Sequence, residues 1–239
     1  MENSKFILID SRYKNYGSNS NFKIYLNKPI TIKKYIKIHY LYLPRLNYMI
    51  NDNNKLIEIT FSDNKKISIV FNKQNYSPLL LTTYINTYVN NYKNFNCYYN
   101  QFTYKIEFYC DIGFSIDFSK SSFHKLLSLD RKIYSSDNLN KFISNCINFN
   151  TPSYININIG NISNDVLQGS NDSHQVNFIV PITNTNFGDI IEFKETFNKD
   201  FKMVVDNKTL TYLDIIITDD DGLIFENNEA NFYMVLEYN

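Results

Sequence analysis

The chain predicts an all-β protein, a β-sandwich with one amphipathic helix, and three observations point there. Apolar and polar residues alternate with period two in many short runs, among them Asn21-Phe22-Lys23-Ile24-Tyr25-Leu26 and Tyr154-Ile155-Asn156-Ile157-Asn158-Ile159, which sends alternate side chains to opposite faces of a strand. Aromatic residues make up 16% of the chain, as 20 Tyr and 19 Phe with no Trp, and with Ile and Val they suit half-buried pleated surfaces. Ala, the best helix former, is nearly absent.

The first strand is Phe6 to Asp10, followed by a polar loop from Ser11 to Ser20. Asn21 to Leu26 is the next strand, with Phe22, Ile24 and Leu26 on one face, and Lys28-Pro29 is read as its break. Ile30 to Leu43 then reads as one long strand, the spine of the sandwich. Within it Tyr35, Lys37 and His39 fall on one face and Ile36, Ile38 and Tyr40 on the other, while Tyr40 to Leu43 has no polar face and is expected to be covered on both sides until Pro44 ends it. On this reading a charge at Leu41 costs folding, and one at Lys37 matters only to assembly.

The cluster Asn51 to Asn54 marks a turn. Leu56 to Phe61 and Ile67 to Phe71 form a hairpin around Ser62-Asp63-Asn64-Lys65. At Ser77-Pro78 the period changes: an N-cap and a first-turn Pro precede a stripe of Leu81, Tyr84, Ile85, Tyr88, Val89 and Tyr92, predicting a helix that packs on a sheet and stops around Asn90-Asn91. Strands resume at Asn96 to Tyr99, Phe102 to Tyr109 and Phe114 to Phe118, with a short helical turn over Ser121 to Leu129. Residues 130–152 read as loop with one turn of helix. Beyond them lie a strand with Ile155, Ile157 and Ile159 inward, a polar loop over 161–174, and strands at Val176 to Ile182, Asp189 to Phe193, Phe201 to Val205 and Thr211 to Thr218. Asp219-Asp220-Asp221-Gly222 is a hairpin signal leading into Leu223 to Phe225, and Phe232 to Tyr238 is the last strand. No repeat or linker divides the chain.

Charge is balanced at 24 basic and 24 acidic residues, which gives no basic footprint for nucleic acid or an anionic membrane surface. No apolar run approaches the length of a membrane span, and the first residues carry no secretion signal. Cys97, Cys110 and Cys146 have no C-x-x-C spacing and are expected to be buried free thiols in a reducing compartment. His39, His124 and His174 fall in a strand, a short helix and a loop, none at ligand spacing from another His or an acid. The triplet Asp219 to Asp221 is the one carboxylate cluster suited to Ca²⁺, but it lacks further spaced acidic ligands and Gly222 accounts for it as a turn. Gly169-Ser170 makes no nucleophile elbow, and 6 Gly leave no phosphate cradle. We therefore assign no catalytic, cofactor-binding or metal residues, and expect a non-enzyme. What remains is surface: Tyr25, Tyr35, Tyr104, Tyr109, Tyr154 and Tyr233 take outward positions, as in a wet core or an assembly interface. The alternative is a ligand- or carbohydrate-binding sandwich of receptor or fibre type.

Asp10-Ser11-Arg12, the strand Phe22-Lys23-Ile24-Tyr25-Leu26, Leu43-Pro44 with Asn47-Tyr48 and Asn53-Asn54, and Asn75-Tyr76-Ser77 form an ordered set of short motifs, and that set resembles the penton (minor capsid, vertex) proteins of virophages and polinton-like double jelly-roll viruses. Asp10-Ser11-Arg12 resembles the family's D-S-R start, and Phe22-Lys23-Ile24-Tyr25-Leu26 its F-x-I-x-L strand. Leu43-Pro44 with Asn47-Tyr48 and Asn53-Asn54 resembles its I-P…Y-N…N-N turn, and Asn75-Tyr76-Ser77 its N-Y-[ST] helix opening. Ser153 to Ile157 and Asp219 to Gly222 match the later strand and hairpin, whereas Leu126-Leu127-Ser128-Leu129 departs from the family's L-L-G-[FY]. The resemblance implies a single jelly-roll domain over residues 1–239 with 56–118 as an elaboration. It also implies a structural capsid protein: a homopentamer closing fivefold vertices of a virion shell, in contact with the major capsid protein, made in the host cytoplasm, with no cofactor, membrane insertion or nucleic-acid site.

Overall fold

The structure, a computed structural model, describes residues 4–149, 152–162, 177–182, 185–194, 202–205 and 207–239. Gly169, Ser170, His174, Val176 and Phe201, named above, lie outside the described residues. In chain order the strands are β1 (Lys5–Asp10), β2 (Tyr16–Ser18), β3 (Asn21–Ile32), β4 (Tyr35–Pro44), β5 (Leu56–Phe61) and β6 (Lys66–Val70), then helix α1 (Pro78–Val89). After it come β7 (Asn96–Asn100), β8 (Lys105–Tyr109), β9 (Phe114–Asp117), a 3₁₀ turn (Ser122–Leu127), β10 (Ile133–Ser135) and β11 (Lys141–Cys146). The last set is β12 (Tyr154–Ile159), β13 (Phe178–Pro181), β14 (Ile190–Lys194), β15 (Met203–Val204), β16 (Lys208–Thr218) and β17 (Tyr233–Tyr238).

These elements divide into two compact units, Met1–Asn47 with Pro152–Asn239, and Tyr48–Thr151. The second unit starts earlier and ends later than the elaboration expected over 56–118.

In the first unit β1-β17-β4-β14 form one sheet, with β15 also on β4, and β13-β12-β16-β3-β2 form the other, all antiparallel. Apart from β2 and β15, every connection except β12 to β13 passes from one sheet to the other. That is the winding of an eight-stranded jelly roll. Inward residues of both sheets share one core: Ile9, Ile36, Ile38, Leu41, Leu43, Met234 and Leu236 face Phe22, Leu213, Ile215, Ile217 and Ile155, Ile157 and Ile159. Fully burying each such side chain is worth about 1.5–3 kcal/mol.

The expected spine over Ile30 to Leu43 is two strands in different sheets. The chain turns the corner at Lys33-Lys34, whose backbone N–H groups both donate to the Asn239 carbonyl. Pro29 does not break β3 either. Between the pairs Tyr25↔Tyr212 and Ile30↔Leu210 the register shifts, so Pro29 sits in a bulge where no ladder donor is needed. A second bulge, at His39 between Ile38↔Leu236 and Tyr40↔Val235, reverses the phase of β4. Ile36 and Ile38 point inward before it and Leu41 and Leu43 after it, while Tyr40 and Tyr42 turn out and are half-buried rather than covered on both sides. Lys37 is buried, not solvent-facing, because its ammonium lies 3.1 Å from the Glu237 carboxylate.

The second unit has two sheets of its own, β10-β9-β5-β6 and β11-β8-β7, around a core rich in rings: Phe61, Phe71, Phe95, Phe108, Phe114, Phe118 and Phe123. Helix α1 packs on β6 and β7 and starts as expected, with Ser77 Oγ accepting from Leu80 N–H (3.1 Å). It ends at Val89, before the left-handed Asn90, and its buried face is Leu81, Thr82, Ile85 and Val89, with Tyr88 exposed.

Other departures from the sequence reading lie nearby. Gln101 to Tyr104 is a turn with Phe102 at its exposed tip, so only Lys105 to Tyr109 is strand. Residues 130–152, read as loop, contain β10 and β11. In β11 the inward positions are Phe142 and Ser144, and a buried Ser does not register as apolar alternation; its Oγ accepts from Ile106 N–H (2.9 Å). Beyond Asp219–Gly222 the expected returning strand reduces to a single bridge, Thr218↔Ile224. Cys97 and Cys110 are buried, where desolvation raises both thiol pKa values, but Cys146 is exposed.

Candidate assembly surface

The outward side chains of the β1-β17-β4-β14 sheet line up in rows set by strand register. Phe6, Glu237 and Lys37 form one row, Leu8, Val235, Tyr40 and Lys194 the next, and Asp10, Tyr233, Tyr42 and Glu192 the third. Phe6 and Leu8, on the edge strand β1, are 57% and 63% exposed. Tyr42 stacks on Tyr233 at 4.8 Å with an interplanar angle of 8°, and Tyr40 stacks on the same ring at 5.9 Å. Phe6 meets the His39 ring edge-on at 5.1 Å.

Polar groups hold these rings in place. The Tyr40 hydroxyl donates to Glu192 Oε1 (2.7 Å), and the Lys194 ammonium lies 5.5 Å from the Tyr40 ring centroid. The carboxylate raises the Tyr40 pKa, and Lys194 followed by Tyr40 lowers that of Glu192. Beside them Glu237 accepts from the Tyr35 hydroxyl (2.9 Å) and pairs with Lys37. Burial pushes the Glu237 pKa up, but hydrogen bonds from Ser4, Tyr35 and Lys37 outweigh it and leave the group below its ordinary range. His39 Nδ1 lies 3.6 Å from the same carboxylate, an acidic neighbour that spacing along the chain could not reveal.

The outer face of the other sheet repeats the pattern with Tyr25 between Tyr16 (6.4 Å) and Tyr212 (6.0 Å), and with Lys23 over the Tyr212 ring. In the second unit Tyr98 stacks on Tyr109 at 5.4 Å, and Glu107 takes hydrogen bonds from both hydroxyls (2.9 and 3.0 Å), Asn100 Nδ2 (2.8 Å) and the Lys141 ammonium (2.8 Å).

Of the 20 tyrosines, Tyr76 and Tyr238 are buried, six are exposed and twelve are half-buried, the last group keeping a ring against its neighbours and an edge toward solvent. Of the six positions singled out in the sequence, Tyr25 and Tyr104 are exposed and Tyr35, Tyr109, Tyr154 and Tyr233 half-buried. The structure brings Tyr35 and Tyr233 onto one face and leaves the other four elsewhere. Tyr40, Tyr42, Phe6 and Leu8 were missed. The phase reversal at His39 hides the first two, and β1, wholly apolar from Phe6 to Ile9, gives no sign of which face is solvent.

Among the remaining candidates, His124 Nδ1 lies 3.0 Å from the Ser121 carbonyl. Asp219 Oδ1 accepts from the backbone N–H groups of Asp221 and Leu223 (2.9 Å each), the expected turn role. Asp219 is pushed up to about 6, first by burial and further by the carboxylates of Asp221 and Asp220.

The motif residues of the resemblance lie at structural joints. Ser11 N–H donates to the Phe232 carbonyl and Phe232 N–H to Ser11 Oγ, both at 3.0 Å, tying the end of β1 to the start of β17. Asp10 takes both a backbone and a guanidinium bond from Arg12, which lower its pKa. Asn54 closes its turn through Asn51 N–H and the Met49 carbonyl, and Asn75 accepts from Met49 N–H (2.8 Å). Ser128, where the family has Gly, adopts φ 51°, a left-handed conformation at which Gly carries no steric penalty.

Strand order and winding place the first unit in the class of single jelly rolls. Among solved structures the chain is similar to the mavirus penton protein, at 12% identity over 99% of each chain with a TM-score of 0.48. It is also similar to a chain of the Sputnik virophage structure, at 14% identity over 98% of this chain and 96% of that one with a TM-score of 0.45. No protein-family model and no curated protein matches the sequence.

Proposed function

We propose that this chain is a structural capsid protein of penton type, which assembles as a homopentamer at the fivefold vertices of an icosahedral virion and contacts the surrounding major capsid protein. The observation that carries this reading is that the ordered penton-like motifs occupy structural joints, two of them in the jelly roll, Asp10-Ser11-Arg12 at the β1–β17 closure and Leu43-Pro44 at the end of β4, and two in the second unit, Asn53-Asn54 in its first turn and Asn75-Tyr76-Ser77 at the start of α1. Tyr-rich outer faces suit the work, since Tyr buries a ring at a contact while its hydroxyl stays satisfied. Five copies would close a ring through one head-to-tail contact repeated by rotation, and obligate contacts of this kind commonly bury over about 2,000 Å². Native mass spectrometry and negative-stain images of the purified protein test this, with a fivefold ring expected. A protein that stays monomeric at high concentration and is not taken up into shells of the major capsid protein would overturn it.

A further inference from the structure

The turn after β16 holds more chemistry than a turn requires. One carboxylate oxygen from each of Asp219, Asp220 and Asp221 lies within 4.8 Å of the others. The turn itself is accounted for by Asp219 Oδ1 and by backbone bonds, Gly222 N–H to the Asp219 carbonyl and Asp219 N–H to the Leu223 carbonyl. Against this triplet stands Asn156 of β12, 1% exposed, whose Nδ2 donates to the Asp219 carbonyl (3.1 Å). The other atom of the same amide head, Oδ1, is buried with no hydrogen-bond donor among the described residues. A sealed amide oxygen without a partner costs free energy, and such atoms mark missing water or ions.

We propose that Asp219, Asp220, Asp221 and the Asn156 side-chain oxygen form a Ca²⁺ site that pins the loop after β16 to β12. The ligand set is all oxygen, three anionic and one neutral, as a hard divalent cation prefers. The three carboxylate oxygens lie within 4.8 Å of one another, close enough to share one cation. Calcium suits such a set better than magnesium, because it accepts irregular oxygen coordination, whereas Mg²⁺ demands a near-ideal octahedron and gives up its water reluctantly. The backbone of the site is already fixed, because Ser153 N–H at the foot of β12 donates to Asp220 Oδ2 (3.1 Å). Binding would thus order little new chain.

Isothermal titration of the EDTA-treated full-length protein with CaCl₂, alongside its thermal unfolding, tests the site. One saturable site with half-saturation at about 0.1–1 mM is expected, with a rise in unfolding temperature and at least about tenfold weaker response to MgCl₂. Asp221→Asn keeps the backbone N–H that the turn uses, and it should unfold like the wild type in EDTA while weakening Ca²⁺ binding about tenfold. Asn156→Ala also loses the bond to the Asp219 carbonyl and should unfold earlier in EDTA, so its readout is the Ca²⁺-induced rise in unfolding temperature, which should shrink. No saturable binding by the wild type up to about 10 mM CaCl₂ overturns the proposal. So does unchanged affinity in Asp221→Asn, which would place the ion elsewhere.

Discussion

Glu107 shows how single residues make a tyrosine-rich surface rigid. It sits almost buried on the outer face of β8 with four donors around its carboxylate, and Lys141 above all, then Asn100, Tyr98 and Tyr109, hold its pKa down at about 2 against burial. The unfolded chain takes up that proton near the ordinary value of 4.5. Between those values the unfolded state binds more protons, so the stabilisation is complete above about 4.5 and is lost as pH falls toward 2. Thermal unfolding followed from pH 6 to 2.5 should show this fall, and Glu107→Gln should flatten it. Only Tyr109, two residues on along β8, is at a spacing the sequence shows; Tyr98, Asn100 and Lys141 come from β7 and β11, whose pairing with β8 only the fold supplies.

At the scale of one element, β4 carries the largest difference between pattern and structure. Strict alternation from Lys34 to His39 made Ile36 and Ile38 legible as core, and they are. One extra residue at His39 then turns every later side chain over, since strand side chains repeat with period two. Leu41 is fully buried among both sheets, so Leu41→Asp should cost more than about 4 kcal/mol and abolish cooperative unfolding of the jelly-roll unit by circular dichroism. Lys37→Met is the instructive comparison. It removes the cation paired with a buried Glu237, so it should cost about 2 kcal/mol in chemical denaturation, where the sequence suggested no effect on folding. Full stability in Lys37→Met would return that residue to a purely surface role.

For the whole molecule, partition of the two aromatic types is the main result. Most Phe lie in the cores of the two units, whereas only Tyr76 and Tyr238 among the tyrosines are buried, and on the outer faces Glu192, Glu237 and Glu107 fix Tyr hydroxyls. Phe102 and Phe187 are exposed in turns, but Phe6 and Leu8 are exposed on a sheet face, wholly apolar and beside the Tyr40–Tyr233–Tyr42 stack. In a protein that works by assembly they belong at a contact. Phe6→Ser with Leu8→Ser should leave the unfolding midpoint within about 0.5 kcal/mol of wild type yet reduce oligomer formation in sedimentation velocity. An unchanged sedimentation profile would remove this face from the contact.

The sequence by itself determined the all-β class, most strands, the hairpin at Ser62 to Lys65, the capped helix and the turn at Asp219 to Gly222, because alternation, caps and turn residues act within a few neighbours. It also carried the motif order of a penton-like chain. Only the tertiary structure decided that Lys33-Lys34 is a corner between sheets, that Pro29 and His39 sit in bulges, that 130–152 contains two strands and that Asn156 faces the Asp219 triplet. Each of these depends on what stands opposite a residue across a sheet or a turn. In a jelly roll, whose strands cross between sheets at nearly every connection, that partner is rarely a neighbour in the chain.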